Sequence, residues 1–272
     1  MYRNTFASIR LRWFNYCAII LVLGCSTDEA RQQHIPPKKH ESPAMSDWNA
    51  FLEGSPFAEL YEPVTLTGQG SFKAGASFEQ RFPKLTELLS SSRLSVLQTD
   101  KGVRHLRAWT APDGEIFGWL CFPPGIEAAN LPLHADHRLL LSSFGGIDEY
   151  WNTPSSLINN LNGALGIADA AAGFGGNDAL FRSVSAGRGP RVHVEPHDYL
   201  VFATEANGDQ FVYNQKTGAV LLLGFDTGRT NLQHVEGYPD LLYTVNGAPD
   251  FRSWVELLAD KHIRKIKAAG GS

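Results

Sequence analysis

Two short segments of the chain combine histidines with carboxylates at spacings that suit a metal ion: HADH (134–137) and HVEPH (193–197). Imidazole nitrogens and carboxylate oxygens are common ligands of Zn²⁺, which can activate water for hydrolysis. Neither segment matches a defined metal-binding motif, so we predict no metal ion and interpret both segments as solvated polar clusters. The alternative is a metal-assisted hydrolase whose ligands would be His134, His137, His193 and His197.

The chain lacks the motifs that mark common enzyme active sites. It contains no Gly-x-Ser-x-Gly elbow, His-Glu-x-x-His, phosphate-binding loop or Cys-x-x-Cys. Asp148 and Glu149 adjoin, but neighbouring side chains of an extended strand point apart, which argues against a general acid–base pair. Cys121, within FGWLCF, is expected to be a small buried hydrophobic residue. We therefore predict a protein that is not an enzyme and needs no cofactor.

The charge balance argues against nucleic-acid binding. The chain has 24 basic and 28 acidic residues among its 272. Three of the basic residues, Arg3, Arg10 and Arg12, precede residue 25, so the remainder is more acidic still. An acidic surface repels a phosphate backbone, and we therefore expect no nucleic-acid partner.

Two groups of β-strands are predicted from apolar runs and turn residues. RHLRAWT (104–110) and EIFGWLCF (115–122) flank a Pro-Asp-Gly turn, which indicates a hairpin. DYLVFATE (198–205), DQFVYNQ (209–215) and AVLLLGFD (219–226) are separated by Asn-Gly and Thr-Gly, which supply the positive φ of tight turns. These three strands should form an antiparallel β-meander.

Helices should flank this sheet. Asp136 is a suitable N-cap for a helix over 137–144, which Gly145-Gly146 would end. Asp250 is a suitable N-cap for a C-terminal helix that covers one side of the sheet, because apolar residues recur there at helical spacing. The residues of that apolar face are Phe251, Trp254, Val255 and Leu258.

The remaining patterns complete an α+β fold class, with an antiparallel sheet, flanking helices and a C-terminal covering helix. Pro83 begins a short amphipathic helix, and Thr153-Pro154 begins another. Residues 163–190 are rich in Gly and Ala with weak periodicity, which indicates a long loop or insertion.

The N-terminus has the organisation of an export signal. Residues 1–12 contain three arginines and no acidic residue, and residues 13–24 are mostly apolar. A bilayer-spanning helix needs about 20 apolar residues, so this shorter run is typical of a signal-peptide core. Its end, Val22-Leu23-Gly24-Cys25, resembles the lipobox of bacterial lipoproteins. The resemblance implies a signal peptide over 1–24, acylation of Cys25, and a membrane-anchored protein that faces the periplasm or the exterior.

A polar segment separates Cys25 from the folded part. Residues 26–44 have few apolar residues and contain three prolines, which indicates a disordered tether. We predict that the lipidated Cys and its tether extend to residue 45 and that a single domain occupies 46–272. The alternative is a translation start at Met45, which would leave a cytoplasmic protein with the same binding role.

Three segments together resemble the SUKH superfamily. LLLSSFGGIDEYW (139–151) is similar to a helix, Gly-Gly turn and acidic-aromatic strand of that family. YLVFATEANGDQFVYNQKTGAVLLLGFD (199–226) is similar to its central strands, and DFRSWVELLAD (250–260) resembles its final helix. The likeness covers about residues 130–262 and implies an α+β scaffold that is not an established catalyst.

The resemblance implies a binding function. Many bacterial members resemble immunity proteins that neutralise antibacterial toxins, and fungal members regulate cell-wall synthesis. The prediction is therefore a lipid-anchored, non-enzymatic protein-binding module whose partner is a protein such as a secreted toxin domain. The residues implied for a partner-facing groove are Glu149, Tyr150, Trp151, Asn207 and Asp209. In the alternative interpretation, the aromatic pair lies in the core and the last two residues form a plain turn.

Overall fold

The computed structural model describes residues 43–55, 61, 64–125, 131–151, 157, 163–185, 194–205, 207–224, 231–238 and 241–268. The chain divides into two compact units, Met1–His40 and Glu41–Ser272, and all of the described residues lie in the second. This second unit contains one large antiparallel sheet and the helices that cover it.

The sheet has twelve strands, and every pairing between described strands is antiparallel. In chain order they are β1 (Thr65–Gly70), β2 (Arg93–Thr99), β3 (Gly102–Thr110), β4 (Ile116–Cys121), β5 (Ile147–Trp151), β6 (Gly163–Ala164), β7 (Ala171–Ala172), β8 (Tyr199–Thr204), β9 (Gln210–Asn214), β10 (Val220–Leu223), β11 (Leu232–His234) and β12 (Leu242–Val245). Across the sheet their order is β1-β2-β3-β4-β5-β6-β8-β9-β10-β12-β11, and β7 also pairs with β8.

The helices lie on both sides of this sheet. They are α1 (Pro43–Gly54), α2 (Ala76–Arg81), α3 (Pro83–Ser91), α4 (Ala135–Ser143), α5 (Asp178–Ser185) and α6 (Phe251–Lys267). A short 3₁₀ turn, Pro196–Asp198, leads into β8. None of the helices in these described ranges is both long enough and apolar enough to cross a membrane.

The two halves of the sheet meet at the two-residue strand β6. Ala164 pairs with Ile147 of β5 on one side and with Ala203 of β8 on the other. The next residue, Leu165, is fully buried and has a φ of 64°, a left-handed conformation that side-chain-bearing residues rarely adopt. The sheet is therefore narrowest beside a strained residue.

One face of the sheet is covered by α2, α3, α4 and α6, and α6 crosses from one half to the other. Trp254 of α6 packs edge-to-face on Phe202 of β8, with ring centroids 4.9 Å apart. Two turns later on the same helix, His262 accepts a hydrogen bond of 3.1 Å from the indole of Trp119 in β4. This helix therefore holds both halves of the sheet together.

Two smaller clusters cover the opposite face. Over the first half, Phe51 of α1 packs on Trp151, with ring centroids 5.1 Å apart. Over the second half, Phe174 and Phe181 of the Gly/Ala-rich segment pack on each other and on the sheet. The segment predicted as a loop or insertion therefore contains β6, β7 and α5 and closes a second core.

Most predicted elements are present in the structure. The hairpin over 104–122 is β3–β4, and the predicted meander is β8–β9–β10. Asp250 caps α6 by accepting a hydrogen bond of 2.8 Å from the backbone N–H of Ser253. Cys121 is fully buried, and burial raises the pKa of its thiol to about 12. The α+β class with an antiparallel sheet and a covering C-terminal helix is confirmed.

The N-cap predicted for α4 is wrong. The cap is His134, whose Nδ1 accepts a hydrogen bond of 3.3 Å from the backbone N–H of Asp136. Asp136 lies in the first turn and accepts two hydrogen bonds of 2.6 Å from the guanidinium of Arg81. A bidentate guanidinium is a stronger partner for a carboxylate than a backbone N–H.

The boundary of the folded part lies before the position predicted for it. Helix α1 begins at Pro43, and Ala44 is buried, so the helix starts within the segment predicted as tether. The predicted signal peptide and Cys25 lie outside the described residues. The helix predicted from Thr153-Pro154 lies outside them as well, except for Leu157, which is buried.

Gly118→Ala should destabilise the fold strongly. An added Cβ at this position in β4 would lie 2.1 Å from the carbonyl oxygen of Arg107 and 2.3 Å from the ring of Trp151. Overpacking typically costs about 1–3 kcal/mol, and the backbone atom on one side cannot move aside cheaply. Urea denaturation should show the loss. Gly68→Ala is the control, because an added Cβ there meets no atom within 4 Å; equal unfolding midpoints for the two variants would contradict this packing.

Candidate functional site

The two adjacent carboxyl groups of β5 approach the same point because the strand carries a β-bulge. Leu120 of β4 pairs with Glu149, but the next residue, Cys121, pairs with Ile147, so Asp148 has no pairing partner in β4. A bulge adds one residue to a strand and re-aims a side chain. Asp148 and Glu149 consequently both lie within hydrogen-bonding reach of the Tyr61 hydroxyl. The prediction that these neighbours point apart is wrong.

Residues from the side of α1 enclose this pair. The hydroxyl of Ser55, directly after α1, donates a hydrogen bond to Glu149 Oε1. Ser55 and Glu149 are each 3% exposed, and Tyr61 is 6% exposed. We call Ser55, Tyr61, Arg104, Asp148 and Glu149 the carboxyl cluster.

Arg104 of β3 neutralises one of the two carboxylates. Its Nε donates a hydrogen bond of 2.7 Å to Asp148 Oδ2, and its Nη1 donates to the carbonyl oxygens of Lys101 and Val103. The guanidinium also lies over the ring of Phe122, with its Cζ 4.5 Å from the ring centroid. The cluster therefore holds one paired carboxylate and one carboxyl group, Glu149, that has neutral hydrogen-bond donors.

Glu149 holds a proton more firmly than an exposed glutamate does. Burial is the main cause that raises its pKa to about 7; the charge of Asp148 acts in the same direction, and the hydrogen bond from Ser55 opposes them. Burial, followed by the charges of Asp148 and Glu149, also raises the pKa of Tyr61. The chemistry that this arrangement can support is the uptake or release of a proton at Glu149 near neutral pH.

A further carboxyl group, Asp169, lies near the junction at β6. Glycine at position 163 leaves room for it, because an added Cβ there would lie 1.9 Å from Asp169 Oδ1. Burial, and then the charge of Asp148, raises the pKa of Asp169 to about 8. The region around β5 and β6 therefore has two carboxyl groups that retain protons at a higher pH than exposed ones.

Three of the residues implied for a partner-facing groove lie in the interior. Tyr150 and Trp151 are fully buried, in the two cores on opposite faces of β5, and Glu149 belongs to the carboxyl cluster. Large aromatic rings at the centre of a sheet bury more apolar area there than at the surface. Tyr150 and Trp151 are therefore core residues in this conformation, as the alternative interpretation states. Glu149 is buried as well, so none of these three residues presents a surface to a partner.

Asn207 and Asp209 form the turn between β8 and β9. The backbone N–H of Asp209 donates a hydrogen bond of 3.0 Å to Asn207 Oδ1, and Gly208 between them has a φ of 91°. The backbone N–H of Glu205 closes the turn by donating to the carbonyl oxygen of Asp209 at 2.7 Å. Asp209 is fully buried, whereas Asn207 is exposed. Asn207 is thus the implied contact residue that lies at the surface.

His137 is buried, and both of its ring nitrogens form hydrogen bonds. Nε2 lies 2.9 Å from the carbonyl oxygen of Leu165, which can only accept, so Nε2 carries the hydrogen. Nδ1 then accepts from the Tyr213 hydroxyl at 3.0 Å, and that hydroxyl accepts from the backbone N–H of His134 at 3.3 Å. This chain of hydrogen bonds fits a neutral ring, and burial lowers the pKa of His137 to about 4.

The two histidine segments do not form a common ligand set among the described residues. His137 has no ring nitrogen left for a metal ion, and His193 lies outside the described residues. His197 is exposed, and its ring nitrogens lie 3.6 Å from carboxylate oxygens of Glu195 and Asp198, a surface arrangement of polar side chains. No group of three or more histidine, cysteine or acidic side chains is placed to hold a metal ion within the described ranges.

Sequence reasoning missed the residues that complete the carboxyl cluster. Ser55 and Tyr61 have no local motif that links them to Glu149, which lies 94 residues after Ser55. Arg104 could have been found from strand alternation. It shares the inward side of β3 with Leu106 and Ala108, and a cation at an inward position is stabilised by a nearby carboxylate.

Comparisons with known proteins add no relative. No family model, no curated protein and no solved structure is similar to this chain. Inferences about function therefore rest on the residues and contacts of the chain.

Glu149→Gln should change how stability depends on pH. The folded-state pKa of Glu149, about 7, lies above its ordinary value of 4.5, so the folded state binds more protons between these two pH values. The stabilising contribution of the protonated group is fully present below the lower value and is lost as the pH rises towards the upper one. The free energy of unfolding of the Gln variant, measured relative to wild type in urea, should therefore increase from about pH 5 to about pH 8.

The control for this measurement is Glu53→Gln, an exposed glutamate on α1. Its difference from wild type should stay constant over the same range. The buried histidines His137 and His262 have pKa values lowered to about 4 by burial, and they titrate equally in all three proteins. A pH-independent difference for Glu149→Gln would show that this carboxyl group does not retain its proton on folding.

Proposed function

We propose that this chain is a lipid-anchored, non-enzymatic protein-binding module with a SUKH-like domain, of the type that neutralises a toxin partner. Cys25 would carry the lipid, and the domain would face the periplasm or the exterior. The observation that carries the proposal is that the three segments with SUKH-like sequence pack on one another as a unit.

The contacts between those three segments are direct. Phe202 of β8 and Tyr213 of β9 both pack on the ring of Phe251 in α6, each with a centroid separation of 5.2 Å. Leu140 and Tyr150 of the first segment belong to the same core. Helix α4 is followed by Gly145-Gly146, where Gly146 has a φ of 93°, and then by the acidic-aromatic strand β5. Helix, Gly-Gly turn, strand, meander and final helix thus occur in the order that the resemblance implies, which supports the proposal.

An acidic module suits a basic partner. From Cys25 onward the chain carries more acidic than basic residues, and Glu53, Glu79 and Asp100 are among its exposed carboxylates. Complementary charge increases the rate of encounter and disfavours wrong partners. The exposed tip of the β8–β9 turn, at Asn207, is the contact point that we assign to the partner.

Cys25→Ser tests the anchor. Wild-type protein expressed from Met1 in a bacterium that processes lipoproteins should fractionate with envelope membranes and incorporate labelled palmitate. The Ser variant should lose the label and leave the membrane fraction, because two or three acyl chains are needed for stable attachment. Cys17→Ser, within the apolar run of the signal, should retain both properties.

Unchanged attachment of Cys25→Ser would contradict the anchor. N-terminal mass spectrometry distinguishes an acylated Cys25 from a translation start at Met45, since that start would yield an unmodified peptide from the region of Ser46. The two results also decide whether a partner should be sought outside the cytoplasm or within it.

Asn207→Arg should weaken partner capture. A new cation at the tip of the β8–β9 turn would repel a basic partner and should reduce affinity about tenfold, measured by binding of the captured protein to immobilised wild type and variant. Thr217→Arg is the matched control, because Thr217 is exposed in the next turn, at the opposite end of β9. Equal losses in both variants would indicate non-specific electrostatics, and no loss in either would place the contact elsewhere.

Turnover of a small substrate by purified protein would contradict the non-enzymatic assignment.

A further inference from the structure

Arg107 is a buried cation that has no carboxylate partner. It lies in β3, is 2% exposed, and forms no ion pair within the described part of the chain. Removing a charge from water is costly unless an opposite charge compensates it. Three other arginines each pair with a carboxylate at 2.6 or 2.7 Å: Arg81 with Asp136, Arg93 with Asp47 and Arg104 with Asp148.

The guanidinium of Arg107 has one neutral hydrogen-bond partner and two aromatic neighbours. Its Nη1 donates to Ser92 Oγ at 3.1 Å. Its Cζ lies 5.2 Å from the ring centroid of Phe72 and 5.9 Å from that of Phe144. Its Nε is buried and has no hydrogen-bond partner. One donor edge of a buried cation is therefore unused.

The groups that interact electrostatically with Arg107 include no carboxylate within the described part of the chain. Burial lowers the pKa of Arg107, and after burial the charge of Arg107 is the second cause that lowers the pKa of nearby His105. Cys121 is close enough to interact electrostatically, but burial keeps its thiol protonated, with a pKa of about 12. The protein supplies no anion here among its described residues.

One of the two aromatic neighbours lies at the edge of the core. Phe72 is half-buried and lies in the segment 71–75, which has no regular secondary structure, between β1 and α2. Phe144 is 1% exposed and belongs to the main core. Phe72 also packs on the buried ring of Phe78, with centroids 5.6 Å apart, so displacement of the Phe72 ring would open the guanidinium at the cost of that contact with the core.

We propose that Arg107 is the binding site of a small carboxylate-bearing ligand, which reaches the free Nε–H edge by taking the place of the Phe72 ring. The Nε–H and an adjacent Nη–H of arginine match the two oxygens of a carboxylate. The apolar walls favour a singly charged carboxylate over a doubly charged phosphate, because less hydration has to be removed.

The test is a titration of the full chain, labelled with ¹⁵N at the arginine side chains, with acetate as the probe. The Nε–H resonance of Arg107 should shift saturably with acetate and shift less with inorganic phosphate at equal ionic strength. Phe72→Ala should bind acetate about tenfold more tightly, because no ring has to be displaced. Arg107→Met assigns the resonance by its loss, and this variant should fold because an apolar residue of similar length replaces an unpaired charge.

The matched control is Arg138→Met, which removes an exposed arginine and should leave the acetate response of Arg107 unchanged. If Arg107→Met does not fold, Arg107→Lys, which has no Nε–H, assigns the resonance instead. Absence of a saturable shift in both wild type and Phe72→Ala would overturn the proposal and leave Ser92 and the two rings as the complete environment of the cation. A shift of equal size in the Arg138 resonance would show a general salt effect and overturn it as well.

Discussion

A chain of hydrogen bonds through one buried histidine holds the narrowest part of the sheet, and the rest of the fold depends on it. Leu165 follows the two-residue strand β6 in a left-handed conformation that costs about 1–3 kcal/mol. Its N–H donates to Phe202 at 2.7 Å, and its carbonyl oxygen accepts from His137 at 2.9 Å. Without these bonds two buried backbone groups would be unsatisfied at the point where the halves meet. Helix α6 can cross both halves only because they form one continuous surface.

The charged residues of the interior serve the same purpose between segments that are far apart in the chain. Each partly buried carboxylate–guanidinium pair offsets the loss of hydration only when both partners are present, so it favours one arrangement of the elements it joins. Three such pairs connect α1 to β2, α2 to α4 and β3 to β5, and they are Asp47–Arg93, Arg81–Asp136 and Arg104–Asp148. The polar groups that drew attention as possible catalysts or ligands are in large part structural connections of this kind.

The local pattern of the sequence was sufficient for the elements but not for the site. Both hairpin regions and the cap at Asp250 were predictable, because turn residues, alternation and helical spacing act over a few residues. Asp148 and Glu149 could not be placed, since the bulge that turns them towards Tyr61 exists only in the register between β4 and β5. For the same reason the N-cap of α4 is His134 and not the predicted Asp136, which pairs with Arg81 from a distant helix.

What the sequence determined by itself is the order and type of most elements and the acidic balance, because composition and short-range pattern contain that information. Only the tertiary structure decided which side chains are accessible. Tyr150 and Trp151 became core residues, and the Gly/Ala-rich segment became a wall of a second core. Arg107 was left as a cation without a counter-charge. Burial and pairing depend on residues brought together from distant parts of the chain, and no short-range pattern records those contacts.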